Sequence, residues 1–266
     1  MSEDLRPKSQ EPKSDRALEV LFTPAEFAAL EQQDLSETAC VVFDVLRATS
    51  SMVTALANGA RAIIPVQEIS EALALRRQQP DLLLAGERKG ARIPSHLTGG
   101  VSFDLANSPR EFTKEKVGGR MIAMTTTNGT RALRACARAR SVLVASFLNL
   151  RATADALQRE APTQLLLVCS GTCEQAAYED VLGAGALCDL IWTNYNAAAV
   201  SDSAQAARRL FRLEAPDLSA AMARSRNGRR LLADEALRED VPFCLQRDRF
   251  SVVAELGNDG AVRCRP

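Results

Sequence analysis

The sequence predicts an α/β fold, namely a three-layer α/β/α sandwich around a largely parallel sheet. Short apolar runs alternate with segments of helical periodicity along most of the 266 residues. Most runs are followed at once by Gly, Ser, Thr or acidic residues, which are typical of turns that begin a helix. Because crossovers of this kind are right-handed, we expect the carboxyl ends of the strands to share one edge of the sheet.

The elements of the first half follow from local patterns. Pro24 suits the start of a helix, and Gly59 suits the end of one. The motif Asp44-Val-Leu-Arg-Ala-Thr49 lies between a buried apolar run and a helical pattern, so Asp44 is placed at the carboxyl end of a strand. The predicted strands span 18–22, 40–44, 62–66 and 82–85, and the predicted helices span 24–32, 49–58 and 68–79.

Residues 91–119 interrupt this alternation with prolines and glycines, but they also contain apolar residues. We therefore predict an ordered loop over the site. The alternation then resumes. The predicted strands span 121–124, 141–145 and 164–168, and the predicted helices span 131–138, a segment ending near 160, and 179–191. The pattern is helical over 202–240. A hairpin around Asn258-Asp259-Gly260 is predicted within 249–264.

The composition is that of a globular protein, with 46% hydrophobic and 25% charged residues. We predict a disordered polar tail over 1–17 and an α/β domain over 18–266. Basic and acidic residues are equal in number, 33 each, and aromatic residues are few, which argues against a nucleic-acid partner. No apolar run is long enough to span a membrane. Several cysteines lie within apolar runs, which indicates a reduced, cytoplasmic protein.

Five predicted turns carry polar groups at the sheet edge where open α/β folds bind ligands. Each turn alone is explained by ordinary helix capping. Their coincidence at one edge favours a site for phosphate or a similar anion. The residues concerned are Asp44 with Arg47; Glu87, Arg88 and Lys89; Thr125 to Thr130; Ser146 with Asn149; and Ser170, Gly171 and Thr172 with Glu179 and Asp180.

Residue types exclude several hydrolase chemistries. His96 is the only histidine, which excludes two-histidine phosphohydrolases and most zinc hydrolases. No P-loop motif is present. Hard oxygen ligands remain, and these suit Mg²⁺ shared with a substrate phosphate. The candidate ligands are Asp44, Glu87, Asp104, Glu179 and Asp180, and the cations around them are Arg47, Arg88, Lys89 and Arg92. So many cations indicate a substrate with several anionic groups.

These motifs resemble those of the 2-phosphosulfolactate phosphatase family, magnesium-dependent enzymes of coenzyme M biosynthesis. The matching stretches are 44–49, 86–88, 103–109, 125–130, 146–149 and 179–180, with weaker matches at 225–228 and 240–242. The resemblance implies hydrolysis of (2R)-2-phospho-3-sulfolactate to 3-sulfolactate and phosphate. That substrate carries a phosphate, a carboxylate and a sulfonate, in agreement with the excess of cations.

Roles can be assigned to the residues of these motifs. We predict catalytic roles for Asp44, Arg47 and Glu179; Mg²⁺ binding by Asp44, Glu87, Asp104 and Asp180; and phosphate or substrate binding by Arg88, Thr125, Thr127, Asn128, Gly129, Thr130, Ser146, Ser170 and Thr172. Asp44 either attacks phosphorus to give an aspartyl phosphate or only binds the metal while water attacks. Glu179 or Asp180 would protonate the leaving oxygen.

Two other functions fit the same residues. One is a phosphatase for another small phosphorylated carboxylic acid. The other is a non-catalytic protein that binds an anionic metabolite. In each case the expected partner is a small anionic molecule rather than a nucleic acid or a membrane, and a homodimer is an open alternative to a monomer.

Overall fold

The computed structural model describes residues 16–265, and most of the predicted tail at 1–17 lies outside them. Strands and helices alternate as the sequence predicts. The strands are β1 (Ala17–Leu21), β2 (Thr38–Phe43), β3 (Ala62–Val66), β4 (Leu83–Arg88), β5 (Ala91–Arg92), β6 (Met121–Thr125), β7 (Ser141–Ala145), β8 (Gln164–Cys169), β9 (Ala254–Leu256) and β10 (Val262–Cys264). The helices are α1 (Pro24–Ala28), α2 (Ala48–Ala57), α3 (Ile69–Gln78), α4 (Lys114–Val117), α5 (Gly129–Ala135), α6 (Leu150–Glu160), α7 (Tyr178–Ile191), α8 (Asp202–Glu214), α9 (Leu218–Arg224), α10 (Arg226–Leu232) and α11 (Asp240–Cys244).

The sheet has the order β1-β8-β2-β7-β9-β10-β3-β6-β4-β5. Strands β1, β8, β2 and β7 pair in parallel and form a first block. Strands β3, β6 and β4 pair in parallel and form a second block. The prediction of a largely parallel sheet is therefore confirmed.

The predicted C-terminal hairpin joins the two blocks, which the sequence did not indicate. Strand β9 is antiparallel to β7, β10 is antiparallel to β9, and β10 is antiparallel to β3. The sheet is therefore parallel within each block and antiparallel where the hairpin joins the two blocks. Arg265, just beyond the hairpin, forms ion pairs with Glu160 and Glu255.

Helices cover both faces of the sheet, which confirms the α/β sandwich. Alternate residues of β2 point to opposite faces, as expected for a strand with both faces buried. Val41 and Phe43 pack with α6, α7 and α8 on one face. Cys40 and Val42 pack with α1, α2 and α5 on the other. A smaller apolar cluster, including Leu84 and Phe103, packs against α3.

Strand β4 is longer than predicted and changes the environment of the next motif. Glu87 and Arg88 pair with Arg92 and Ala91 of β5, so the segment expected as a turn is the end of a hairpin strand. The rest of 91–119 contains short helical turns and α4. Within 16–265, no helix is both long enough and apolar enough to cross a membrane.

Candidate active site

Turns from both blocks of the sheet line one pocket with a volume of about 420 Å³. Its walls come from the chain after β2 and β8 in the first block, and from β4 and the chain after β6 in the second. The predicted site residues that line it are Asp44, Arg47, Glu87, Arg88, Thr127, Asn128, Thr172, Glu179 and Asp180. Most of the site residues predicted from the sequence therefore line one cavity.

Asp44 lies where β2 ends and α2 begins, and it is buried. Its Oδ1 accepts a hydrogen bond of 3.0 Å from the N–H of Ala48 in the first turn of α2. Gly129, which begins α5, packs against the same carboxylate, because a Cβ added there would lie 2.8 Å from Asp44 Oδ2. Only glycine allows this close approach, so the structure gives Gly129 a contact with Asp44, whereas the phosphate binding predicted for it stays a prediction.

Asp180 and Glu179 lie in the first turn of α7 and are both buried. Asp180 Oδ1 accepts a hydrogen bond from the N–H of Val45 at 2.8 Å. Its Oδ2 accepts hydrogen bonds from the Ser170 hydroxyl and the Gly171 N–H, both at 3.1 Å. Glu179 Oε1 accepts a hydrogen bond from Asn227 Nδ2, whereas its buried Oε2 has no partner among the described residues.

Burial raises the pKa values of the three carboxyls at the floor of the pocket. Burial is the main cause of the raised pKa of Asp44, and the charge of Glu87 adds to it. Burial also raises the pKa of Glu179, with a contribution from Asp44. Burial raises the pKa of Asp180 well above its usual range, and the charges of Asp44 and Glu179 raise it further. The pocket therefore concentrates buried acidic groups.

These raised pKa values predict how the stability of the metal-free protein depends on pH. The carboxyls bind protons more tightly in the folded chain than in the unfolded chain, so the free energy of unfolding should fall as the pH rises. The fall should begin near about pH 4, the ordinary carboxyl value, and continue through the raised folded values. Urea unfolding in EDTA at a series of pH values measures it.

A pair of variants isolates the contribution of the pocket to this dependence. Asp180→Asn should flatten the curve, because it removes the carboxyl with the strongly raised pKa. Asp104→Asn is the control, since Asp104 forms a partly exposed ion pair with Arg76. A free energy of unfolding with the same pH slope in Asp180→Asn and in the parent would contradict the prediction.

Glu87 connects the β4–β5 hairpin to the turn before α5. Its Oε1 accepts hydrogen bonds from the N–H and the hydroxyl of Thr127, at 2.9 and 2.8 Å. Its Oε2 accepts one from the N–H of Gly90 at 2.7 Å. Arg88 donates to the carbonyl of Gln67 and to the Thr125 hydroxyl. These contacts hold the second block's side of the pocket in one arrangement.

Arg47 is buried and held by two anchors. Its Nη1 lies 2.5 Å from Asp240 Oδ2, and its Nη2 donates to the carbonyl of Gly90 at 2.8 Å. Asp240 is fully buried, and its Oδ1 also accepts hydrogen bonds from the Ser108 hydroxyl and from Arg110 Nε. A guanidinium has five N–H groups, so donors remain for an anion in the pocket.

Six predicted site residues do not line the pocket, namely Asp104, Thr125, Gly129, Thr130, Ser146 and Ser170. Asp104 Oδ2 instead accepts hydrogen bonds from Arg76 and from the N–H of Leu84. Its backbone runs beside the middle of β4, which carries it away from the strand's carboxyl end. Thr125, Thr130 and Ser146 are buried, and their hydroxyls bond within their own turns or to neighbouring carbonyls. Ser170 is not in the pocket wall but bonds to Asp180.

Several pocket residues carried no predicted role. Asn107 is buried in the wall, and its side-chain oxygen has no partner among the described residues. Asn227 bonds both to Thr172 and to Glu179. Arg131 and Arg230 also line the pocket. The stretches 103–109 and 225–228 already contained Asn107 and Asn227, so the motif matches were the available signal.

The donor chemistry of the floor suits a divalent cation. Asp44, Glu179 and Asp180 supply hard oxygens in a buried place, and the nearby Arg47 is already paired with Asp240. Within 16–265, however, no three His, Cys, Asp or Glu side chains are grouped closely enough to form a ready metal site. Magnesium binding therefore stays a prediction, and Asp104 is remote from the pocket that would contain it.

Comparison with known proteins gives consistent similarities over nearly the whole chain. A family model described as 2-phosphosulpholactate phosphatase matches residues 25–259. A probable 2-phosphosulfolactate phosphatase of Caldicellulosiruptor saccharolyticus is 36% identical over 244 residues, covering 90% of this chain and 97% of the relative. One from Thermotoga petrophila is 40% identical over 218 residues, covering 82% of this chain and 88% of the relative.

Proposed function

The chain belongs to the 2-phosphosulfolactate phosphatase family, and we propose on this basis that it hydrolyses (2R)-2-phospho-3-sulfolactate to 3-sulfolactate and phosphate with Mg²⁺. The observation that carries the proposal is the pocket itself, where buried carboxylates and several arginines face one cavity. A phosphate ester needs both, because phosphoryl transfer combines a positioned nucleophile with cations that neutralise the phosphate oxygens.

The phosphate is proposed to bind between Asp44 and the turn before α5. Thr127 and Asn128 line the pocket there. Arg47 contributes the guanidinium donors that its anchors leave available, and its buried position excludes water from them. Charge-assisted hydrogen bonds of this kind are stronger than neutral ones. The substrate would thus be oriented before any bond changes.

We assign the nucleophile to Asp44 and the proton donor to Glu179. An Asp44 oxygen forms a bond to phosphorus while the ester P–O bond breaks, and the leaving alkoxide takes the proton of Glu179. Water then attacks the aspartyl phosphate and gives its proton to Glu179, which restores both carboxyls. The raised pKa of Glu179, caused mainly by burial, supports its protonated starting state.

Asp44 and Asp180 are the residues that would hold Mg²⁺, with Glu87 beside them. A bound divalent cation would neutralise charge on the phosphate oxygens. The support for this ligand set is the raised pKa of Asp44 and Asp180, because burial and mutual repulsion make a nearby cation favourable.

The experiment is phosphate release from a panel of phosphorylated acids, measured with MgCl₂ and with EDTA. We expect release from phosphosulfolactate only with Mg²⁺, and much less from phosphoglycolate and 2-phospholactate. Phosphate release only from another phosphorylated acid would show that the enzyme acts on a different substrate. Calorimetric binding without any release would instead indicate a non-catalytic binding protein.

A further inference from the structure

Lys89 lies in a backbone conformation that disfavours its side chain. It is the first residue of the two-residue turn between β4 and β5, and its φ is +55°, in the left-handed region. Residues other than glycine, asparagine and aspartate adopt this region at a cost. Lys89 is exposed and lines the pocket. Strain kept at a pocket wall indicates that the side chain has a use there.

Arg230 lies against the same turn. A Cβ added to Gly90 would come within 2.7 Å of Arg230 Nη1, so the guanidinium packs directly on the glycine. Arg230 belongs to α10 and also lines the pocket. Two cations from separate elements, Lys89 in the turn and Arg230 in α10, thus lie together at the tip of the β4–β5 hairpin.

The charge of these two residues is not neutralised by carboxylates of the described chain. Arg47 pairs with Asp240, and Arg131 pairs with Glu174. Within 16–265, neither Lys89 nor Arg230 has a carboxylate within 4.0 Å. The pocket therefore has cations at its exposed rim beyond those at its buried floor.

We propose that Lys89 and Arg230 bind the non-reacting sulfonate of the substrate and so determine its specificity. This inference rests on the proposed function. The carboxylate of phosphosulfolactate is attached to the carbon that carries the phosphate, whereas the sulfonate is one carbon farther away. With the phosphate at the buried floor, the sulfonate is the group that reaches the exposed rim.

The test compares three substrates in three variants of Lys89. The substrates are phosphosulfolactate; 2-phospholactate, which lacks only the sulfonate; and 1-sulfopropan-2-yl phosphate, which has a methyl group in place of the carboxylate. Lys89→Gly removes both strain and charge, Lys89→Asn removes the charge in a residue that tolerates this φ, and Lys89→Arg keeps the charge. The matched control is Arg92→Gln, a loss of charge on the same hairpin at a residue paired with Glu111.

Both neutral variants should lower kcat/KM about tenfold for the two sulfonates, the scale of one charged hydrogen bond, and leave 2-phospholactate unchanged. Lys89→Arg and Arg92→Gln should stay near the parent. Arg230→Gln should repeat the pattern of the neutral variants. A purely structural role predicts instead that Lys89→Gly raises Tm and leaves substrate preference unchanged, which would overturn the proposal.

A binding measurement separates this inference from the proposed function. Calorimetry of 3-sulfolactate and lactate requires no hydrolysis. We expect the parent to prefer 3-sulfolactate and the neutral variants to lose about tenfold of that preference. If the neutral variants lose affinity equally for 3-sulfolactate and lactate, or lose none, the assignment is overturned even if the enzyme is active. Absence of phosphate release with the preference intact would refute only the hydrolytic function.

Discussion

Asp44→Asn should lower kcat by roughly three orders of magnitude or more, the scale seen when a nucleophile or a donor that stabilises transition-state charge is removed. The substitution keeps the size of the side chain and an oxygen that can accept the Ala48 N–H. It removes the negative charge that the proposed chemistry requires. Steady-state kinetics on phosphosulfolactate, with circular dichroism to verify the fold, measures the effect.

The matched control for this variant is Asp104→Asn. Asp104 is a carboxylate of the same type, but it pairs with Arg76 away from the pocket. Its activity should stay within about twofold of the parent, as is usual for surface changes. If Asp44→Asn kept a tenth of the parental activity, Asp44 would not be the nucleophile of the reaction.

Isotope labelling distinguishes the two roles of Asp44 that the sequence leaves open. One turnover in ¹⁸O-labelled water places label in the Asp44 carboxylate when water attacks the acyl carbon of an aspartyl phosphate, whereas attack at phosphorus places the label in the released phosphate. Attack at the acyl carbon labels the peptide that contains Asp44. Repeated turnovers with label only in phosphate, together with no trapped acyl phosphate in acid-quenched samples, would leave Asp44 as a metal ligand.

Asp240→Asn should give the second large effect, on stability as well as activity. The substitution leaves Arg47 buried, with 2% of its side chain exposed, and without its charged partner. Breaking a buried ion pair in this way costs about 3–5 kcal/mol. For a chain of this length each kcal/mol lowers Tm by roughly 2–4 °C. Activity should fall too, because the guanidinium loses the contact that fixes its position.

Two further variants test whether the cost belongs to the buried pair. Arg110 binds the same carboxylate, but 38% of its side chain is exposed. Arg110→Gln should therefore cost no more than about 1 kcal/mol, as exposed pairs do. The double variant Arg47→Met with Asp240→Leu should recover much of the stability while remaining inactive. An unfolding free energy for Asp240→Asn within about 1 kcal/mol of the parent would contradict the prediction.

The sequence predicted the elements and the acidic floor of the pocket for a local reason. Asp44 directly follows strand β2 and Asp180 lies in the first turn of α7, and such placements can be read from short windows of sequence. The same reasoning placed Glu87 at the pocket, although it assigned the residue to a turn and the structure gives it to a strand.

Long-range contacts explain what the sequence could not predict. Asp240 meets Arg47 across 193 positions, and no local pattern marks such a pair. Asp104 has the residue type of a metal ligand, but the segment around it pairs beside β4 and turns the carboxylate towards Arg76. The sequence predicted the hairpin of β9 and β10, but the position of this hairpin between the two blocks depends on non-local pairing.

The position of that hairpin also affects how the protein is made. During translation both blocks leave the ribosome before β9 and β10, which lie between them in the finished sheet. The pocket takes Asp44 and Asp180 from one block and Glu87 and Thr127 from the other. A nascent chain lacking 254–264 has two half-sites and no strand to join them. The sheet that positions the pocket is therefore completed only after β9 and β10 have left the ribosome, rather than growing in step with the polypeptide.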